Sequence, residues 1–149
     1  MVGCARTASR SAVYTLQAAI AALHADAPTP TATDWPQIAG LYEVLLRVNP
    51  SPVVELNRAV AIAMRDGSAA GLALIDAILN RGDLEDYYLT HAARADLCRR
   101  LGSTNEAIAS YGRALALARQ EPALRFLQRR LQELSQLNKS FQGPESLTN

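Results

Sequence analysis

The sequence predicts an all-α fold of about seven antiparallel helices, and three observations carry that expectation. The hydrophobic fraction is 49% while aromatics make up only 5%, so the apolar content is mostly alanine and leucine, which favour helices over sheets. Apolar residues recur at spacings of three and four along most of the chain. Glycine and proline interrupt that rhythm at intervals that themselves repeat. At 149 residues the chain suits one compact domain, large enough to bury its apolar surface without metal or disulfide support.

The opening MVGCARTASRSA is rich in small and polar residues without period, and residues 1–12 read as a disordered leader. Its Val-Gly-Cys looks like a lipoprotein cleavage site, but no apolar stretch precedes it. From Val13 the period turns helical, with Leu16, Ala19, Ile20 and Leu23 on one face of a helix ending near Ala25. The prolines of APTPTATDWP then make a loop, and Thr33 or Asp34 can cap a second helix that carries Pro36 in its first turn. That helix presents Ile38, Leu41, Tyr42, Leu45 and Leu46, and breaks at Asn49-Pro50. Ser51-Pro52 restarts the chain, and Val53, Leu56, Val60, Ala63 and Met64 form the apolar face of the third helix before Arg65-Asp66-Gly67.

Helix four carries Leu72, Ile75 and Leu79 and closes at Asn80-Arg81-Gly82. Helix five runs from about Tyr87 to Leu101 and stops at Gly102. Ser103 and Glu106 have the spacing of a capping box for helix six, which presents Ala107, Ile108, Tyr111, Ala114, Leu115 and Ala118. A seventh helix from about Pro122 places Leu124, Leu127, Leu131 and Leu134 on one face with Arg125, Arg129 and Arg130 outside, the pattern of a solvated capping helix. The period fades from Gln136, so the helical domain is assigned to residues 13–137 and residues 138–149 to a flexible tail.

Composition and motif content narrow the function. Fifteen Lys and Arg against fourteen Asp and Glu leave a net charge of +1, too little to hold a nucleic-acid backbone, so direct DNA binding is not expected. No apolar run is long enough for a membrane span. The two cysteines, Cys4 and Cys98, do not make a disulfide scaffold and fit a reducing, cytoplasmic setting. His24 and His91 lie in different helices without partners at metal-ligand spacing, and no nucleophile elbow, P-loop or dinucleotide motif is present. The acidic loop Asp83, Glu85, Asp86 reads as a solvated helix start rather than an acid-base pair, and Trp35 as core packing against the first helix. No catalytic residue, cofactor or metal is expected.

The stretch GSTNEAIASYGRALAL, Gly102 to Leu117, places its Gly, Glu-Ala-Ile, Tyr and Arg-Ala-Leu at the offsets of the second half of a tetratricopeptide unit. Stepping back from Tyr111 by 35 and then 34 residues gives Asp76 and Tyr42, and Gly67 occupies the slot of Gly102. The expected architecture is therefore a tetratricopeptide-like, right-handed stack with a C-terminal capping helix.

The strings YTLQAAIAALHA, TDWPQIAGLYEVLLRVNPSPVVELNRAVAIAM and HAARADLCRRLGSTNEAIASYGRALALA resemble the C-terminal extension of a subgroup of extracytoplasmic-function sigma factors. The resemblance covers most of Tyr14 to Leu134 and implies a non-catalytic domain that modulates sigma-factor core domains or RNA polymerase by contact. The chain itself has no promoter-reading helix-turn-helix, which fits either a C-terminal fragment or a truncated product. Groove positions carried over from tetratricopeptide units fall on Asn57, Arg65, Asp96, Arg99 and Arg100, and these are the candidate partner-binding residues. Two alternatives stay open: Asp96 pairs with Arg99 or Arg100 within its own helix, or the groove senses a peptide or small ligand.

Overall fold

The computed structural model describes the backbone of residues 3–26 and 32–141 and the side chains of residues 12–23 and 32–141. The described residues form seven α-helices and no strand: α1 (Gly3–Asp26), α2 (Trp35–Val48), α3 (Pro52–Asp66), α4 (Ser68–Asn80), α5 (Tyr88–Arg100), α6 (Thr104–Leu117) and α7 (Glu121–Phe141). The chain divides into two compact units, residues 1–83 and 84–149.

In the first unit α1 packs on α2, α2 on α3 and α3 on α4. The core is a cluster of Ile20, Ile38, Ala39, Ala61 and Ile62, with Leu23, Trp35, Leu41, Tyr42, Ala70 and Leu74 against its edges. Trp35 is thus a packing residue, as its place beside the first helix suggested. Helix α2 starts because the Asp34 carboxylate accepts the Gln37 N–H at 3.1 Å, while Pro36 stands where a missing N–H is harmless. A single residue, Gly67 with φ 110°, joins α3 to α4, and a side chain would be strained there. The antiparallel pair it creates is very close: a Cβ on Gly71 would lie 2.4 Å from the Ala63 Cβ and 2.7 Å from the Ala59 carbonyl oxygen.

In the second unit α5 packs on α6 and α6 on α7. Thr90, Ala95, Leu97 and Cys98 are buried on α5, Ala107, Ser110, Tyr111 and Ala114 on α6, and Leu127 and Leu134 on α7. The outer face of α7 is solvated, with Arg125 in an ion pair to Glu121 and Arg130 stacked 5.3 Å from the Phe126 ring centre. Helices α4 and α5 end alike: the Asp83 and Ser103 N–H groups reach back to the Ile78 and Cys98 carbonyls at 3.2 and 2.9 Å.

Several local expectations change. Helix α1 begins at Gly3, within the stretch whose composition reads as a leader, because no proline interrupts it and a helix once nucleated propagates without an apolar period. Helix α7 likewise continues to Phe141, past the point where its period fades; residues 142–149 of the expected tail lie outside the described residues. The capping box does not form. Ser103 makes no side-chain cap, and the Glu106 carboxylate turns to α5, where it meets Arg94 at 3.5 Å and the Cys98 thiol at 3.8 Å. A guanidinium outcompetes a backbone N–H for a carboxylate.

The residue equivalent to Tyr111 by burial is Ile75, fully buried, rather than the partly exposed Asp76. With Ile75 as reference, buried positions of α3 and α4 recur 36 residues later: Val54 and Thr90, Ala59 and Ala95, Ala61 and Leu97, Ile62 and Cys98, then Gly71 and Ala107, Ile78 and Ala114. One step back, Tyr42 lies 33 residues before Ile75, with Ile38 and Leu45 matching Gly71 and Ile78. The longer second step is taken up by the loop of residues 81–87, which contains Leu84 at φ 57°, an uncommon conformation for a bulky residue.

Candidate functional site

The first unit holds a groove of about 470 Å³ walled by α1, α2 and α3. Its floor is apolar, formed by the buried Ile20, Leu45 and Val54. The Asn49-Pro50-Ser51-Pro52 bend opens it. The Asn49 N–H closes α2 on the Leu45 carbonyl at 2.7 Å, Ser51 is extended at φ −154°, and Pro52 starts α3, so Asn49 and Ser51 are left at the rim. Asn57 joins them one turn into α3, Tyr42 rises from α2, and Gln17 comes from α1.

No charged residue lines this groove. Among the described residues, the side chains of Gln17, Tyr42, Asn49, Ser51 and Asn57 make no hydrogen bond to another part of the chain. Three carboxamides and two hydroxyls therefore face the same space with their bonding capacity directed to water. Burial pushes the Tyr42 phenol above its ordinary pKa.

The five positions carried over from tetratricopeptide grooves separate. Asn57 belongs to the groove just described. Arg65 lies two turns further along α3, outside the lining, in a two-bond pair with Asp66 at 2.9 and 2.8 Å. In the second unit Asp96 is held by both Arg99, at 2.7 Å, and Arg100, at 2.9 Å, along α5. These three satisfy one another, and only a fraction of a kcal/mol is at stake in each exposed pair, roughly 0.3–0.5. The sequence reading missed Gln17, Tyr42, Asn49 and Ser51 as groove residues, because Asn49 and Ser51 beside two prolines read only as helix punctuation.

The remaining polar residues are structural. The His91 Nε2 donates to the Glu85 carbonyl at 2.7 Å, and Asp83 pairs with Arg81. Arg94 donates to the Ser110 hydroxyl at 2.8 Å, tying α5 to α6, and Arg58 donates to Glu43 at 3.1 Å, tying α3 to α2. His24 and Cys4 lie outside the residues whose side chains are described. Among the described residues no three His, Cys, Asp or Glu side chains gather as a metal site would need, and no helix is long and apolar enough to cross a membrane.

Tyr111, 1% exposed, is buried with its hydroxyl next to the Arg99 guanidinium but without a hydrogen bond of regular geometry, and burial pushes its pKa up as well. Both phenols hold their protons more tightly in the folded chain than in the unfolded one. Their contribution to stability is therefore full below the ordinary tyrosine value of 10.0 and is lost as pH rises through the higher folded values. The chain has one lysine, Lys139, and arginine stays charged, so tyrosines dominate this range. Urea melts should give constant stability up to about pH 9 and a decline above pH 10 that weakens in the Tyr42→Phe, Tyr111→Phe double variant. A decline of unchanged steepness in that variant would place its origin elsewhere.

No protein-family model matches the chain, and no solved structure matches it. It is 43% identical over 126 residues to an uncharacterized protein of Rhizobium meliloti (strain 1021). The match covers 85% of this chain but 29% of that protein, so the chain spans under a third of the length of the curated relative it resembles.

Proposed function

We propose that the chain is a non-catalytic interaction domain of tetratricopeptide-like helix pairs, related to the extensions of extracytoplasmic-function sigma factors, and that it modulates transcription initiation by contacting sigma-factor domains or RNA polymerase. The observation that carries this reading is the 36-residue recurrence of burial between α3–α4 and α5–α6, reaching seven paired positions, which is how repeated helix hairpins bury faces they cannot bury alone. The motif strings from Tyr14 to Ala118 supply the link to sigma factors. The much longer relative supports a domain that works tethered to others, where a linker raises the effective concentration to about millimolar and weak contacts suffice.

The test is titration of the labelled chain with separately purified sigma-factor domains and with polymerase. Association in trans should be micromolar, roughly 1–100 μM, since tethering removes any need for tighter contact. Absence of binding at several times the upper figure would remove the docking reading. A second reading, a peptide-sensing domain, is favoured by one observation: the uncharged groove with five polar side chains not bonded within the described chain.

A further inference from the structure

The groove between α1, α2 and α3 has a chemistry selective enough to name its occupant. A charged ligand would lose its hydration there without a counter-charge, because every lining residue is neutral. A purely apolar ligand would cover Ile20, Leu45 and Val54 but strand the carboxamides and hydroxyls around them. A helical partner has already satisfied its own backbone and has no use for side-chain amides. What remains is a chain that is apolar or small in its side chains and carries free amide N–H and C=O groups. Each carboxamide offers both an NH2 donor and a carbonyl acceptor, the complement of a peptide unit.

We infer that this groove binds an extended polypeptide segment without charged side chains, its backbone amides held by Gln17, Asn49 and Asn57 and by the Tyr42 hydroxyl, and its side chains seated on Ile20 and Val54. Tyr14, 71% exposed, precedes Gln17 and Ala21 by three and seven residues on the same helix face, and so extends the groove wall with a further neutral contact. The volume of about 470 Å³ lies in the range that accommodates small ligands and short peptide stretches. This inference rests on the interaction-domain reading only for its use in the cell; the selectivity is set by the lining.

The test uses the full chain labelled with nitrogen-15 and three small probes. N-acetyl-leucine methylamide presents two amides and one apolar side chain; N-acetyl-leucine replaces one amide by a carboxylate; N-acetyl-lysine methylamide places a cation on the side chain. The first should shift the side-chain NH2 signals of Gln17, Asn49 and Asn57 with a millimolar constant, as expected for a fragment of that size. The two charged probes should bind at least about tenfold more weakly, given the desolvation cost of an unpaired charge. Asn57→Ala and Tyr42→Phe should each weaken the first probe about two- to tenfold, the range of one hydrogen bond, without altering the melting curve. Equal shifts from all three probes, or shifts confined to α7, would overturn the assignment, as would silence of the three NH2 pairs at saturating probe. Because the probes contain no sigma-factor surface, their failure and failure of the trans titration are independent results.

Discussion

Gly71→Ala should destabilise the chain by about 1–3 kcal/mol, while Gly112→Ala should stabilise it by about 0.5–1 kcal/mol. Both glycines lie inside helices, α4 and α6, so both substitutions gain the helix propensity of alanine, worth about 1 kcal/mol. The difference is what the new methyl group meets. At Gly112 nothing lies within 4 Å. At Gly71 the nearest atoms are the Ala63 Cβ at 2.4 Å, the Ala59 carbonyl oxygen at 2.7 Å and the Ala63 Cα at 3.0 Å. None of these can rotate away, so the backbones of α3 and α4 must separate, loosening the contacts of Ala61 and Ile62 in the core. Urea denaturation followed by the fluorescence of Trp35, the only tryptophan, reads the first unit for Gly71→Ala, and helical circular dichroism reads both variants. A stabilising Gly71→Ala would show that α3 and α4 do not approach as closely as described.

Tyr111→Ala should cost about 2–4 kcal/mol, whereas Tyr111→Phe should be nearly neutral. The ring is one of the largest fully buried side chains, and the buried positions near it on α5 and α6 are small: Ala95, Ala107 and Ala114. Small neighbours cannot swing into the space a missing ring leaves, so most of the cavity persists and its cost adds to the lost transfer energy. The hydroxyl has no regular hydrogen bond to lose among the described residues, and removing a poorly partnered buried polar group costs little. Denaturant melts followed by circular dichroism, with hydrogen exchange of the α5 and α6 amides, check both values. A loss under about 1 kcal/mol in Tyr111→Ala would mean the site collapses freely.

Most of the secondary structure was legible in the sequence, because each boundary has a local chemical cause. The Asp34 cap, the Pro52 start and the Gly67 and Gly102 stops act through their own backbone and need no distant partner. The exceptions are instructive. Ser103 and Glu106 have the right spacing for a capping box, yet Arg94 and Cys98 on the neighbouring helix claim the carboxylate. Gly3 to Arg10 lack an apolar period and still continue α1, since period reports which face is buried and not whether a helix propagates.

What the sequence determined by itself was the all-helical class, the number and limits of most helices, and the existence of a repeat, all of which follow from spacing of three and four, punctuation and recurrence. Tertiary structure decided the register of that repeat and the composition of the site. Counting from tyrosine to tyrosine at a fixed period selected Asp76, whereas burial selects Ile75, because residues added in the loop of 81–87 shift the second step and only packing records the shift. In the same way, polarity on a helix could not say whether a residue is available to a partner. Asp96, Arg99 and Arg100 are polar and mutually paired; Asn57 is polar and faces a groove whose other members come from two more helices and a bend. Availability depends on what lies across the gap, and that is a property of packed surfaces rather than of any one stretch of chain.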